Sequence, residues 1–391
     1  MESFYKTHKY LVEKVESPVR RQLMDEIDWK HRLIGVKGCR GIGKTTFLLQ
    51  YAKETFGTDR SCLYVNFNSL YFTQHSLIDF AGEFCKNGGK TLLIDQTFKY
   101  ENWSQELSQC YTLYPELHIV FSGSSVMRLI EDNTDIKDIV HVYNLRGFSF
   151  REYLNLKCNT DLKSVSLPEI IAGQTSIVEE ICSKVEIFDH FQDYLHHGFY
   201  PFFLEDRNYS ENLVKTVNMM LEVDILLIKQ IELKYLSKIR KLLYILTGDA
   251  PCGPNVSQLS VEIETSRATI MNYIKYLKDA RLLNLLYNVG DDFPKKPRHI
   301  FVHNTNLMYA LYPDKVDTDA LYQTFLYNAL HAKHKVNTGR NTSDFLVDQK
   351  LHFKMLDFQT HKNTANNFYV TSELKGNGKN LIPLWLFGFL Y

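Results

Sequence analysis

The chain has 391 residues, too long for one ordinary core, so about two to four domains are expected. Lys and Arg together number 45 and so do Asp and Glu, which leaves no overall field for nucleic acid or a membrane surface. A hydrophobic share of 45% with 23% charged residues describes a soluble globular protein.

Residues 1–30 read as a charged helical lead-in. Arg32 to Lys37 forms a short apolar strand. Gly38-Cys39-Arg40-Gly41-Ile42-Gly43-Lys44-Thr45 follows and fits G-x-x-x-x-G-K-[ST], the phosphate-binding P-loop. Its glycines let successive N–H groups turn inward around phosphate oxygens. Lys44 would reach the β- and γ-phosphates, and Thr45 would hold Mg²⁺. Thr46 to Lys53 continues with helical spacing, which aims the positive end of a helix at the same anions. The motif thus has the strand before it and the helix after it that it needs.

Ser61 to Phe67, Lys90 to Asp95, Leu117 to Ser122 and Val140 to Leu145 read as further strands. Strands alternating with helices imply an α/β fold with a parallel sheet covered on both faces. The P-loop then lies at the carboxyl end of the first strand, where such sheets bind ligands. A P-loop ATPase also needs an acid at the end of a neighbouring strand, and Asp95 supplies it as a second metal-holding residue. The next residue is Gln96, whose amide can orient water but cannot take its proton. Glu101 lies beyond the strand end and is a poor substitute base. Ser122, Ser124 and Ser125 could sense the γ-phosphate or simply form a turn around Gly123. Lys44, Asp95 and Gln96 are therefore the candidate catalytic residues. Gly38 through Thr46, with Ser124, are the candidate nucleotide-binding residues.

Residues 148–235 show helical periodicity interrupted at Gly198 to Phe203, read as a loop. Residues 236–312 read as helix (Leu236 to Leu246), short helix (Asn255 to Glu264), turn, helix (Ser266 to Ala280) and a strand pair (Leu282 to Tyr287, His299 to Val302), the order of a winged helix. Thr265-Ser266-Arg267 would cap its recognition helix. Arg267, Lys275, Lys278, Lys295, Lys296 and Arg298 would meet DNA phosphates, or the module packs on protein instead. Residues 313–391 open with a helix from Asp319 to Lys333, followed by strands at Ser343 to Asp348, Leu351 to Met355 and Asn367 to Val370.

Together, Gly38 to Thr45, Asp95 with Trp103 after it, and Ser122-Gly123-Ser124-Ser125 resemble a bacterial and archaeal family of AAA+ ATPases. Leu145 to Leu154, Gly198 to Pro201, Lys296-Pro297 and Asn304 to Leu307 also fit that family. The resemblance implies a AAA+ core at 1–147, a helical lid at 148–235, a winged helix at 236–312, and at 313–391 a restriction-endonuclease-like domain of unknown function. It also implies a ring in which one subunit completes its neighbour's site.

The departures are specific. The family's Asp-Glu pair is Asp95-Gln96 here. Its Arg pair, which the resemblance implies is an arginine finger, is replaced by Thr134 to Asp138, and Arg128 is not at the matching place. Of the nuclease-type metal acids only Asp344 remains; Lys354 and Gln323 stand at the others, so this domain is expected to be structural. Three readings stay open. The first is a Mg·ATP-binding protein with weak or absent hydrolysis, acting as a nucleotide-dependent switch or assembly factor. The second is an ATP-gated DNA-binding protein, and the third a metal-dependent nuclease. A protein partner or self-association is compatible with the first two.

No run reaches bilayer length and the first residues lack an apolar signal core. The seven cysteines, Cys39, Cys62, Cys85, Cys110, Cys158, Cys182 and Cys252, form no C-x-x-C pair. A cytoplasmic setting without membrane, zinc site or disulfide framework is the expectation.

Overall fold

A computed structural model of the chain describes all residues but 17, 128, 130–132, 206–207, 314–315, 340–342, 357–366 and 374–379. By contact density the chain divides into two units, 1–146 and 147–391.

The first unit opens with α1 (Glu2–Lys14) and the single turn α2 (Leu23–Glu26). Then come β1 (Leu33–Gly38), α3 (Lys44–Thr55), β2 (Cys62–Asn66), α4 (Leu77–Lys86), β3 (Thr91–Asp95), α5 (Trp103–Leu113), β4 (His118–Ser124) and β5 (His141–Asn144). The strands form one sheet in the order β2-β3-β4-β1-β5, and every pairing is parallel. Every residue of β3 is buried, which is why it reads as an unbroken apolar run ending in one acid. Helices close the crossovers from β1 to β2, β2 to β3 and β3 to β4. Local signals start them: the Ser76 hydroxyl accepts from Asp79 N at 3.0 Å to cap α4. Gly123 lies inside β4 and not in a turn, the second of the two roles open to its serine neighbours. Lys37 and Gly38 pair in register with Gly123 and Ser124, so β1 carries β4 two residues beyond Ser122.

The second unit begins with α6 (Phe150–Lys157), α7 (Leu167–Cys182), α8 (Ile187–His197) and α9 (Tyr209–Met219). Ser149 with Glu152 and Ser166 with Glu169 form capping boxes that fix where α6 and α7 start. The break expected at 198–203 contains a 3-10 turn, Pro201–Leu204, and a π-helical turn, Met220–Ile225, follows α9. Next are α10 (Leu236–Asp249), α11 (Val256–Glu262), α12 (Arg267–Asp279), and the antiparallel pair β6 (Leu283–Leu286) and β7 (His299–Val302). Then come α13 (Thr305–Leu311) and α14 (Thr318–Leu330).

A second sheet joins β8 (Val336–Thr338), β9 (Phe345–Val347), β10 (Leu351–Met355), β11 (Asn367–Thr371) and β12 (Leu381–Pro383) in the order β12-β11-β10-β9-β8. The strands β8 and β12, three residues each, are too short to read from pattern. The apolar run at the end of the sequence becomes β12 and a buried 3-10 turn, Leu384–Phe389. Gly388 lets that turn approach α6, since a Cβ there would meet the Phe150 Cβ at 2.5 Å. Among the described residues no helix is long and apolar enough to cross a membrane.

Candidate functional site

The segment after β1 folds as a tight loop in which Gly41 (φ 84°) and Gly43 (φ 91°) take left-handed backbone that side chains resist. Gly38 is required for a different reason: an added Cβ would strike the Ile42 side chain and come within 2.6 Å of Leu145 O. Ile42 is fully buried and Cys39 nearly so, which anchors the loop to the sheet. Arg40 and Thr46 are half-buried, and Thr45 is exposed. Lys44 Nζ lies across the loop, donating to Gly38 O and Cys39 O at 2.8 Å each.

Parallel pairing through β4 brings Asp95 to the same edge as this loop. The carboxylate is buried and receives four donors. Thr45 Oγ1 and Tyr64 OH donate to Oδ2 at 2.6 and 2.9 Å. Ser122 Oγ donates to Oδ1, and Gln96 N–H reaches the same oxygen at 3.0 Å. The Gln96 N–H also lies 3.1 Å from Ser122 Oγ, and Gln96 itself has a left-handed φ of 56°. Burial, with the Asp95 charge beside it, pushes the Tyr64 phenol far up, so it stays protonated and donates. Thr45 and Asp95 are hard oxygen donors side by side, the set a Mg²⁺ ion takes, and the residues present fit that ion.

The structure thus gathers Gly38, Lys44, Thr45, Asp95 and Gln96 at one edge of the sheet. Ser124 ends β4 opposite Gly38 at the same edge; it is 3% exposed, and its Oγ accepts from Val126 N at 3.4 Å. Glu101 is exposed. Arg128 lies outside the described residues.

Two neighbours escape sequence reasoning. Tyr64 sits two strands away from β4 and reaches Asp95 only because β2 pairs with β3. Buried Arg21 donates to Ile42 O at 3.3 Å and to Arg146 O at 2.6 Å, supporting the loop from behind. Nothing in the spacing of residues 1–30 marks it.

In the second unit, Ser266 caps α12 by accepting from Thr269 N at 3.0 Å. Arg267, Lys295, Lys296 and Arg298 are exposed, whereas Lys278 is half-buried. Lys295 pairs with Asp291 at 2.6 Å, and Lys275 Nζ stands 4.7 Å from the centre of the Phe293 ring. Asp344 accepts from Met355 N at 2.8 Å. Among the described residues no three His, Cys, Asp or Glu gather as a metal site.

A parallel sheet with a glycine loop after β1 and a buried acid ending β3 is the arrangement of a P-loop nucleotide-binding domain. Residues 30–154 match the family model described as AAA domain, and residues 188–311 match a domain of unknown function, DUF8612. The uncharacterized protein MJ1637 of Methanocaldococcus jannaschii is 26% identical over 278 residues, 67% of this chain. The match spans 58% of that relative's length. Among solved structures, AMPPCP-bound DnaA from Aquifex aeolicus is 15% identical, covering 71% of this chain and 87% of its own, at a TM-score of 0.28. The Aeropyrum pernix ORC1 protein in complex with DNA is 10% identical, covering 80% and 92%, at 0.29.

Proposed function

We propose that the first unit binds Mg·ATP and hydrolyses it slowly, so that the protein works as a nucleotide-dependent switch or assembly factor. The observation that carries this reading is the 2.6 Å bond from Thr45 Oγ1 to Asp95 Oδ2, with Lys44 lying across the glycine loop beside it. Backbone N–H groups of the loop would cradle the phosphates, Lys44 would bridge them, and Thr45 and Asp95 would hold the cation. The cation would supply charge neutralisation on the phosphate oxygens. Gln96 would orient water near the γ-phosphate. Its amide accepts no proton, which removes the general base that speeds hydrolysis.

ATP turnover by the pure protein is the test. The expected result is binding that Lys44→Ala abolishes, with turnover that is slow in the native chain and rises about tenfold or more in Gln96→Glu. Brisk native turnover that depends on Lys44 would overturn the slow-hydrolysis reading.

A second reading is a nucleotide-gated DNA-binding protein. It is favoured by one observation: the capped helix α12 begins at exposed Arg267, and the loop between β6 and β7 presents exposed Lys296 and Arg298. This is the element order of a winged helix. Titration against duplex DNA at rising salt tests it.

A further inference from the structure

The four donors on Asp95 divide unevenly between chain segments. Gln96 N–H is the residue's own neighbour, Thr45 belongs to the glycine loop, and Ser122 comes from β4. Tyr64 comes from β2, outside every motif the sequence displays, and its hydroxyl is committed to the same oxygen, Oδ2, that takes the Thr45 proton. The Tyr64 side chain is buried, and its own backbone N–H is fixed by His8 Nδ1 at 3.0 Å. The phenol is therefore held from both ends of the residue.

We infer that Tyr64 is a positioning residue for the divalent cation. By holding Oδ2 it fixes the plane of the Asp95 carboxylate, and through that plane the direction of the Thr45 hydroxyl. The Thr45 proton points at Asp95, which leaves the lone pairs of Oγ1 for a cation. Two of the four donors, Thr45 and Tyr64, fall on Oδ2, so these two together set how the carboxylate lies. Loss of the Tyr64 hydroxyl frees one position on Oδ2, and the carboxylate can turn. The loss falls on the cation more than on the phosphates, because the Lys44 ammonium is held by Gly38 O and Cys39 O and not through Asp95. This rests on the reading that the loop and Asp95 hold a Mg-nucleotide.

The experiment is a pair of titrations on the full chain, ATP with excess Mg²⁺ and ATP with EDTA, for the native protein, Tyr64→Phe and Lys44→Ala. Tyr64→Phe keeps the ring and removes the hydroxyl. The dissociation constant in EDTA divided by that in Mg²⁺ should fall by about tenfold or more, the usual effect of losing a group that orients a metal ligand. Affinity in EDTA should stay within about twofold, since the phosphate contacts remain. Equal weakening in both titrations, or an unchanged ratio, overturns the inference and leaves Tyr64 a structural residue. Should Tyr64→Phe fail to fold, Tyr64→Met drops the hydroxyl while its flexible chain refills the space, and is read in the same way. Native protein that binds no ATP, or binds it equally well as Lys44→Ala, refutes the nucleotide reading itself and is a separate outcome from an unchanged ratio.

Discussion

At the scale of single residues, His8 sets an acid limit on the first unit. It is 2% exposed, and its Nδ1 accepts the Tyr64 N–H, so the neutral ring carries its proton on Nε2. Burial lowers its pKa below the ordinary value near 6.5. Protonating Nδ1 would set two donors face to face on the edge strand β2. The sign follows from linkage. The unfolded chain takes up the proton near pH 6.5 while the folded chain resists until lower pH. Stability is therefore fully present above about pH 6.5 and falls as pH drops below it. His8→Asn keeps an acceptor near the Nδ1 position and removes the titration. Urea denaturation at pH 8, 6 and 5 should show a shallower loss toward acid in this variant, at a cost of about 1–2 kcal/mol at pH 8 from poorer packing. Identical acid slopes in the two proteins would exclude His8 as the titrating group. His8, Tyr64 and Arg21 share one property: each meets its partner across many residues of sequence, through strand pairing or helix packing. A local motif cannot mark such residues, whereas Gly38 to Thr45 and Asp95 carry their own spacing.

At the scale of elements, buried parallel strands are legible because they are continuous apolar runs, as β3 is. Capped helices are legible because Ser, Thr, Asn and Asp stand where they begin, as Ser266 does for α12 and Asp317 for α14. Three-residue strands such as β8 and β12 have too few positions to show alternation, and only their partners define them. The extension of β4 past Gly123 was equally hidden, because it depends on β1 lying alongside. The pair of α12 and the β6–β7 hairpin invites a prediction at this scale. Two of the six basic residues read for DNA already have partners, Lys295 on Asp291 and Lys275 on the Phe293 ring. Arg267, Lys296 and Arg298 are the exposed charges on which phosphate contact would rest. If this module binds DNA, replacing each of the three by Ala should weaken binding at every sequence tested. Each replacement should also reduce the slope of log K against log salt by about 1. Replacing Lys295, whose charge is already paired, should change the slope less. Binding that ignores salt, or that survives the triple replacement unchanged, would assign these elements to protein contact.

At the scale of the whole molecule, the balanced charge means that any attraction to a polyanion is local, and the division at residue 146 means that ligand effects should be local too. Each unit has its own sheet and its own buried aromatic core, with Phe47 and Phe121 in one and Phe345 and Phe353 in the other. Separate cores favour separate cooperative transitions. A ligand that binds only the folded first unit stabilises that unit by about 2.7 kcal/mol at a hundred times its dissociation constant. Calorimetry with and without Mg·ATP should therefore show two transitions, of which one moves up by several degrees and the other stays. Hydrogen exchange should slow at residues 38–46 and 95–97. Lys44→Ala should leave both transitions where they are without ligand and cancel the shift with it. A single transition that moves as one would mean that the units unfold together. In that case nucleotide in the first unit would stabilise α12 and the hairpin as well, which is the coupling a nucleotide-gated DNA-binding protein requires.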